Sequence, residues 1–479
     1  MGQSAEEIGL VGRALLVHLS RLVVSRLLCF GERLRQVLAR RLLLRSSNPA
    51  WSTVSSNFHT VGLQMVIGMN KSGYPLVPPD QHFFRLKGER AERVIQEFAE
   101  RSFLMDWCYS NPELPNGKEL CDLLIVYDDI AIVWSIKELH PFHRSKAKKS
   151  LRQLGGASRQ LFEMKTPIEL RNPRRGCEIF DPKAIRRVFL VSVLMGDQPE
   201  VLSFVEEVRK RPVHVLTREA VEILLTELDT VADFAEYLQK KQEFLATKRT
   251  ITILGGEQEL LAVYLAEGRG FGPYADTDRL ILTSGHWHRY QTSPEYSRKK
   301  EADSISYVWD SIIDQAHEGS EHYERVAREL ARPNRFERRV LAKAFAGAHM
   351  RAHEECVRHG SRDGLHLRRV MPGKDATYCF LFMDDIDPRE RRRKALGTIC
   401  FVARGKFPER RRIVGVATEM QICPTCSYDF CFLDIPDWMD KHQEIYDKIS
   451  RETGIFVHPE VEYACEDEYP VAEENDDEE

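Results

Sequence analysis

Two apolar segments of the chain are separated by only two residues, and this spacing predicts a β-hairpin. Residues 120–127 and 130–138 are rich in Ile, Val, Leu, Tyr and Trp, a composition that favours strands. The Asp-Asp pair at 128–129 is typical of a tight turn. An antiparallel pair joined by a short turn also brings its two outer ends together. We therefore expect Asp122, near the start of the first strand, to lie close to Lys137, near the end of the second.

An acid and a lysine at one end of a hairpin suit phosphodiester hydrolysis. That reaction needs a hard divalent cation, usually Mg²⁺ held by carboxylates, and a positive group beside the attacking water or the phosphate. Residues 88–103 predict an amphipathic helix. Three glutamates on it are candidates for a second metal ligand: Glu92, Glu97 and Glu100. The apolar pattern of residues 147–164 predicts another helix, and that of residues 187–194 predicts a fully buried strand. The predicted order is therefore helix, three strands, helix, strand.

This order, with Asp122 and Lys137 on successive strands, resembles the PD-(D/E)XK nuclease superfamily, which has the restriction-endonuclease-like fold. More narrowly, GKELCDLLIVYDD and the following VWSIKEL are similar to a group of uncharacterised bacterial proteins assigned to that superfamily. The resemblance covers about residues 88–194. It implies that Asp122 binds the metal, that Lys137 is the motif lysine and that Glu92 is the glutamate of the helix. It also implies Mg²⁺ or Mn²⁺ as the cofactor and DNA as the partner.

One position departs from the motif, because Ser135 stands where the superfamily has an acid two residues before the lysine. A neutral hydroxyl is a poor substitute for a carboxylate at Mg²⁺. Either another acid compensates or the site is inactive. Glu138 follows the lysine, but strand alternation places it on the opposite face. Glu92 and Glu119 are better candidates to replace the missing acid.

The charge of the chain gives no general sign of nucleic-acid binding, since the formal net charge is −4. Such binding must come from local basic patches. Residues 143–152 form one directly after the hairpin. Three lysines there, Lys146, Lys148 and Lys149, are candidates for phosphate contacts. The resemblance implies that Gln153, the next residue after this patch, is a phosphate or base contact. Two later basic clusters, 389–394 and 404–412, are better explained as solvated helix faces and loops.

The cysteines indicate a reducing compartment. The eleven of them show no framework spacing and no secretory signal peptide is visible, so we expect reduced thiols and a cytoplasmic protein. Cys423 and Cys426 match one half of a zinc ribbon, but only Cys465 remains to complete it. We therefore do not expect zinc there.

Composition changes divide the chain into four parts. Residues 1–64 are an Arg/Leu-rich amphipathic extension whose charges interrupt every apolar run before it could span a bilayer. It suits an interfacial helix, a transit peptide or a non-native extension read from an upstream start codon, and we favour the last. Residues 65–249 form the nuclease-like domain, residues 250–464 a second domain without a recognisable role, and residues 465–479 an acidic tail.

The sequence thus predicts an α/β protein with a restriction-endonuclease-like mixed sheet flanked by helices, followed by a second α/β or α+β domain. The leading hypothesis is a Mg²⁺-dependent nuclease that hydrolyses DNA in genome defence or DNA processing. The alternative is a catalytically degenerate module of the same fold, marked by Ser135, that binds nucleic acid or a protein partner without cleavage. A third interpretation is an interaction scaffold in which Asp122 and Lys137 form only a surface ion pair.

Overall fold

The computed structural model describes residues 105–471. The gaps are 115–116, 140–143, 164–166, 173–175, 197–204, 209–210, 320–322, 361–365, 385–388, 424–425, 457–458 and 464. All described residues belong to one compact unit, Asp80–Glu479, and the predicted border at residue 250 falls inside it. The extension at 1–64 and the helix at 88–103, with Glu92, Glu97 and Glu100, lie outside the described residues.

A six-stranded mixed sheet carries the predicted hairpin. Its strands are β1 (Cys108–Ser110), β2 (Leu123–Tyr127), β3 (Ile130–Leu139), β6 (Arg187–Gly196), β7 (Val205–Val208) and β8 (Arg211–Thr217). Their spatial order is β1-β2-β3-β6-β8-β7. The first three strands are antiparallel neighbours, whereas β3, β6 and β8 run parallel. Parallel neighbours need a crossover, and between β3 and β6 it contains the helix α1 (Arg144–Glu163) and a two-stranded antiparallel sheet of β4 (Ile168–Asn172) and β5 (Gly176–Phe180).

Side chains of the central strands alternate between two hydrophobic layers, as strand geometry requires. On one face, Leu124 and Val133 pack with Leu154 and Leu161 of α1. On the other face, Trp134 stacks on Phe234 with ring centroids 5.7 Å apart. That second layer is covered by helices α2 (Arg218–Glu227) and α3 (Val231–Ala246). The sheet is therefore buried on both faces, which explains its near-continuous apolar strands.

A second, four-stranded sheet has the order β11-β12-β13-β14. Its strands are β11 (His366–Pro372), β12 (Thr377–Met383), β13 (Arg412–Glu419) and β14 (Asp429–Asp434). Only β12 and β13 are parallel, and α10 (Arg389–Lys406) connects them. This helix and α11 (Asp440–Thr453) pack on one face of the sheet, whereas the long helix α9 (Arg335–His359) packs on the other.

The remaining elements lie between the two sheets in the sequence. They are a parallel pair, β9 (Thr250–Ile253) and β10 (Arg279–Leu282), and five helices: α4 (Glu257–Ala266), α5 (His286–Gln291), α6 (Pro294–Asp303), α7 (Ser306–Gly319) and α8 (Glu324–Ala331). One hydrophobic core runs from the six-stranded sheet through α4, α7, α8 and α9 to β12 and β13.

The predicted α/β class is confirmed by this arrangement of mixed sheets and helices. The predicted helix at 147–164 and strand at 187–194 are present as α1 and β6. The sequence analysis did not predict the β4–β5 pair, β11, β14 or the helices between 286 and 331. In the described part of the chain, no helix combines the length and the apolar character needed to cross a bilayer.

The start of the predicted acidic tail is packed onto the protein. Glu468 forms an ion pair with Arg269 at 3.0 Å, and the Tyr469 hydroxyl lies 2.9 Å from that of Tyr290. Glu466 pairs with Lys343 at 3.0 Å. The part of the tail that the structure describes thus contacts the loop after α4, the helix α5 and the helix α9.

Candidate functional site

The turn between β2 and β3 sets the geometry of the site. Tyr127 pairs with Ile130, and Asp128 between them has φ of +49°, a conformation that aspartate tolerates better than most residues. From this turn the register runs without interruption to Leu123 opposite Trp134. The Asp122 N–H then donates to the Trp134 carbonyl at 3.2 Å. Asp122 therefore continues the antiparallel pairing at the open end of the hairpin.

The structure brings the predicted acid and lysine together. The Lys137 Nζ lies 3.4 Å from both carboxylate oxygens of Asp122. The Asp122 side chain is 7% exposed and that of Lys137 36% exposed, so the carboxylate is buried and the lysine side chain is partly exposed. The backbone N–H of Ile136 also donates to Asp122 Oδ2. The aspartate is thus fixed by the strand that carries the lysine.

Glu119 provides a second carboxylate at the same place. It shares a hydrogen bond with Asp122, and its pKa is raised, first by burial and then by the negative charge of Asp122. The positive charge of Lys137 lowers this pKa, whereas the negative charge of Glu113 raises it further. Glu113 and Glu119 are cross-strand partners in an isolated antiparallel bridge. An acidic group with one lysine therefore lies at the open end of the hairpin.

Ser135 lies on the same face of the sheet but makes different contacts. Its hydroxyl is buried and lies 3.2 Å from that of Ser150 on α1. Ser150 is in turn 3.5 Å from Ser192 of β6. These hydroxyls connect β3, α1 and β6. The Ser135 hydroxyl is therefore engaged in a structural contact. The roles of Ser150 and Ser192 could not be predicted from the sequence, because the partners in each contact are distant along the chain.

Glu138 is placed as strand alternation predicts. The register of β3 against β6 continues without a break to Leu139 opposite Gly196. With no bulge there, Glu138 and Lys137 are on opposite faces. Of the acids considered as replacements for the one missing at Ser135, Glu119 is therefore the one that the structure places beside Asp122. Glu92 is outside the described residues.

The helix α1 presents a basic surface next to this site. Lys148, Lys149 and Arg152 are exposed, as is Gln153. Within the described residues none of these three cations has an ion-pair partner. The side chain of Lys146 is not among those described. Lys148, Lys149 and Arg152 thus give this part of α1 an exposed positive charge, and Ser150 of the same helix contacts Ser135 of the hairpin.

The two later basic clusters have internal partners. Arg389, Arg392 and Arg393 all donate to Asp429. The Arg411 guanidinium is paired with Asp434 and that of Arg412 with Glu329. These guanidinium groups serve the packing of the second sheet.

Three or more acidic, histidine or cysteine side chains placed to share one metal ion are not found among the residues described. Mg²⁺ commonly takes one or two carboxylates and keeps water or substrate phosphate as its other ligands. Asp122 and Glu119 suit this mode, since both are hard oxygen donors. A cation would also relieve their mutual repulsion, which adds to the effect of burial in raising the pKa of Glu119. Cys423 and Cys426 lie side by side, with sulfurs 3.0 Å apart.

The chain matches no known protein family and no curated protein. Membership of the PD-(D/E)XK superfamily thus stays a prediction, which depends on Asp122, Lys137 and the segments around them.

Proposed function

We propose that this protein is a metal-dependent nuclease that hydrolyses phosphodiester bonds of DNA at the Asp122–Lys137 site, with a role in genome defence or DNA processing. The observation that carries the proposal is the group formed by Asp122, Glu119 and Lys137 at the open end of the β2–β3 hairpin. Two carboxylates beside one partly exposed ammonium match the needs of phosphodiester hydrolysis.

Each residue has a distinct role in this proposal. Asp122 and Glu119 would hold Mg²⁺ or Mn²⁺, and the bound ion would polarise the phosphate and activate water. Lys137 has an ammonium with three donors, so it can retain one bond to Asp122 while it orients the water or stabilises the charge that develops on the phosphate. Asp122 keeps its orientation because Ile136 N–H holds Oδ2.

The strand order supports the same proposal. The antiparallel β1-β2-β3 followed by α1 and the parallel β6 is the order of elements that the resemblance implies. Fold alone does not fix a reaction, so the proposal depends on the site rather than on the sheet.

The exposed cations of α1 would contact the substrate backbone. Lys148, Lys149 and Arg152 carry three positive charges without ion-pair partners in the described part of the chain. Phosphate contacts of this kind make binding fall steeply as salt rises. Replacing Lys148 and Lys149 with Gln should therefore weaken DNA binding and reduce its salt dependence, with little effect on folding.

Cleavage of supercoiled plasmid and of single-stranded DNA in Mg²⁺, Mn²⁺ or EDTA tests the proposal. We expect metal-dependent cutting that falls by about two orders of magnitude or more in Asp122→Ala and in Lys137→Ala. Glu119→Gln should need more metal for half-maximal rate. The matched control is Asp129→Ala, which removes an acid at the other end of the same hairpin, where it pairs with Arg187 at 2.8 Å. Equal cutting by Asp122→Ala and the wild type would show that the site is wrongly assigned.

A second function is favoured by Ser135. Its hydroxyl is buried against Ser150, and the motif acid is absent, so the site has fewer metal ligands than the superfamily motif provides. A degenerate module would bind DNA, or a protein partner, equally well in EDTA and in Mg²⁺ and would not nick DNA with any metal. Intact DNA throughout, from folded protein whose DNA affinity falls with salt, would favour this function.

A further inference from the structure

The loop between β13 and β14 holds two thiols in contact. The Cys423 and Cys426 sulfurs are 3.0 Å apart. The Cys426 N–H is directed at the Cys423 carbonyl at 3.5 Å, so the backbones of the two cysteines also approach each other, as a disulfide requires. In this structure neither thiol takes part in a disulfide.

The ends of this loop are fixed by hydrogen bonds. Ser427 N–H donates to Glu419 at 2.7 Å, and Arg392 pairs with the same carboxylate at 2.8 Å. On the other side, Met420 N–H donates to the Met383 carbonyl at 2.8 Å. The two thiols are therefore held near each other by the fold, which reduces the entropy lost when they join.

We propose that Cys423 and Cys426 form a redox site at which a low-molecular-weight disulfide, such as glutathione disulfide, oxidises the pair to an intramolecular disulfide. This proposal is independent of the proposed nuclease function. Reduced thiols are the resting state expected in a cytoplasm, so the disulfide would form when the ratio of disulfide to thiol in the surroundings rises.

The exchange proceeds in two balanced steps. Cys423 loses its proton, attacks one sulfur of glutathione disulfide and releases one glutathione, leaving a mixed disulfide. Cys426 then loses its proton and attacks the Cys423 sulfur, and the second glutathione leaves. The two protons end on the two glutathione molecules, and the two electrons from the cysteine pair reduce the glutathione disulfide.

Exposure decides which thiol reacts first. Cys423 is exposed, whereas Cys426 is half-buried, and the Cys426 thiol donates to the Gln421 carbonyl at 3.2 Å. Burial, followed by the hydrogen bond with Cys423, raises the pKa of Cys426 to about 12. Cys423 is therefore the attacking thiol and Cys426 the one that closes the disulfide.

The same sheet contains a natural comparison. Cys400 of α10 forms hydrogen bonds with both Cys379 and Cys431. Cys379 and Cys400 are fully buried, so glutathione disulfide cannot reach either of them in the folded protein. The sulfurs lie close together in both groups of cysteines, but of these five residues only Cys423 is exposed; Cys431 is half-buried.

Thiol mapping tests the proposal on the full chain. The protein is equilibrated without oxygen in glutathione buffers of increasing disulfide content, quenched with acid, alkylated and mapped by mass spectrometry. We expect Cys423 and Cys426 to lose alkylation together, with the loss of two hydrogen atoms from their peptide, and dithiothreitol to restore both. In Cys426→Ser, Cys423 should instead accumulate a mixed disulfide with glutathione. The matched control is Cys177→Ser, which removes an exposed thiol elsewhere and should leave the oxidation of the pair unchanged.

Three results would overturn the proposal. Both thiols could remain fully alkylated in buffers that oxidise a reference dithiol. The disulfide could map to Cys379, Cys400 or Cys431. The reduced protein could carry zinc that is lost in Cys423→Ser, which would make the pair a metal site. Far-UV circular dichroism of each variant checks that these readings come from folded protein.

Discussion

His349 should make the protein sensitive to mild acid. It lies on α9, stacked on Phe382 with ring centroids 4.9 Å apart, and its Nε2 is 2.9 Å from the Glu419 carbonyl, which it meets as a donor. Burial lowers the pKa of His349 from 6.5 to about 4. The hydrogen bond to Glu419 acts against this change, and the neighbouring His353 adds to it.

The size of the effect follows from the gap between the two pKa values. Between about pH 6.5 and about pH 4 the unfolded chain binds a proton at this histidine that the folded protein does not. Stability is therefore fully present above about pH 6.5 and falls as the pH drops through this window. At about 1.4 kcal/mol per pH unit, the loss from this one residue reaches about 3 kcal/mol.

His349→Gln isolates the contribution, because an amide can still donate to the Glu419 carbonyl but does not titrate. We would measure urea unfolding of both proteins by circular dichroism at about pH 7 and about pH 4.5. Between these two conditions, the free energy of unfolding of the wild type should fall by about 2–3 kcal/mol more than that of the variant. His214 is also buried with a lowered pKa, so the comparison with the variant, rather than the wild-type curve alone, carries the test. A difference between the two proteins that does not change with pH would refute the reasoning.

Three further predictions concern stability and are checked by denaturant unfolding. Lys241→Met should lower the free energy of unfolding by about 3–5 kcal/mol. Lys241 pairs with Glu257 at 2.6 Å in the core, so the substitution leaves a buried carboxylate without its cation; a decrease below about 1 kcal/mol would contradict this. Gly415→Ala should lower the free energy of unfolding by about 1–3 kcal/mol, because its new methyl group would lie 2.6 Å from the Cys400 sulfur. An unchanged midpoint of the unfolding transition would show that α10 moves away without loss of stability. Asn334→Ala should cost about 1 kcal/mol by removing the cap of α9, whereas Asn334→Asp, which keeps the acceptor for the Glu337 N–H, should retain most of the stability.

The β2–β3 hairpin and the meeting of Asp122 with Lys137 could be predicted because both depend on local sequence. A two-residue turn fixes the register of the strands beside it, and the register then fixes which side chains face each other. Residues as close as 122 and 137 therefore need no knowledge of the rest of the chain. The same holds for α1 and β6, whose apolar patterns are continuous.

The environment of that pair could not be predicted in the same way. The Ser135 hydroxyl contacts that of Ser150, which in turn contacts that of Ser192. These contacts join three elements that share no sequence pattern. Glu119 was one of two candidate acids, and only backbone pairing near it, such as that of the Leu120 N–H with the Pro112 carbonyl, places it against Asp122. The role of a basic residue such as Arg392 on α10 is equally hard to predict from the sequence, because the buried Asp429 that neutralises it lies on β14.

The sequence by itself determined the α/β class, the central hairpin and one acid–lysine pair, since periodicity and turn chemistry act over a few residues. The tertiary structure decided which other groups surround that pair, which of the basic clusters are neutralised, and that Cys423 is exposed while Cys400 is buried. The physical reason is that burial and electrostatic environment depend on residues distant in sequence, whereas register depends on neighbours.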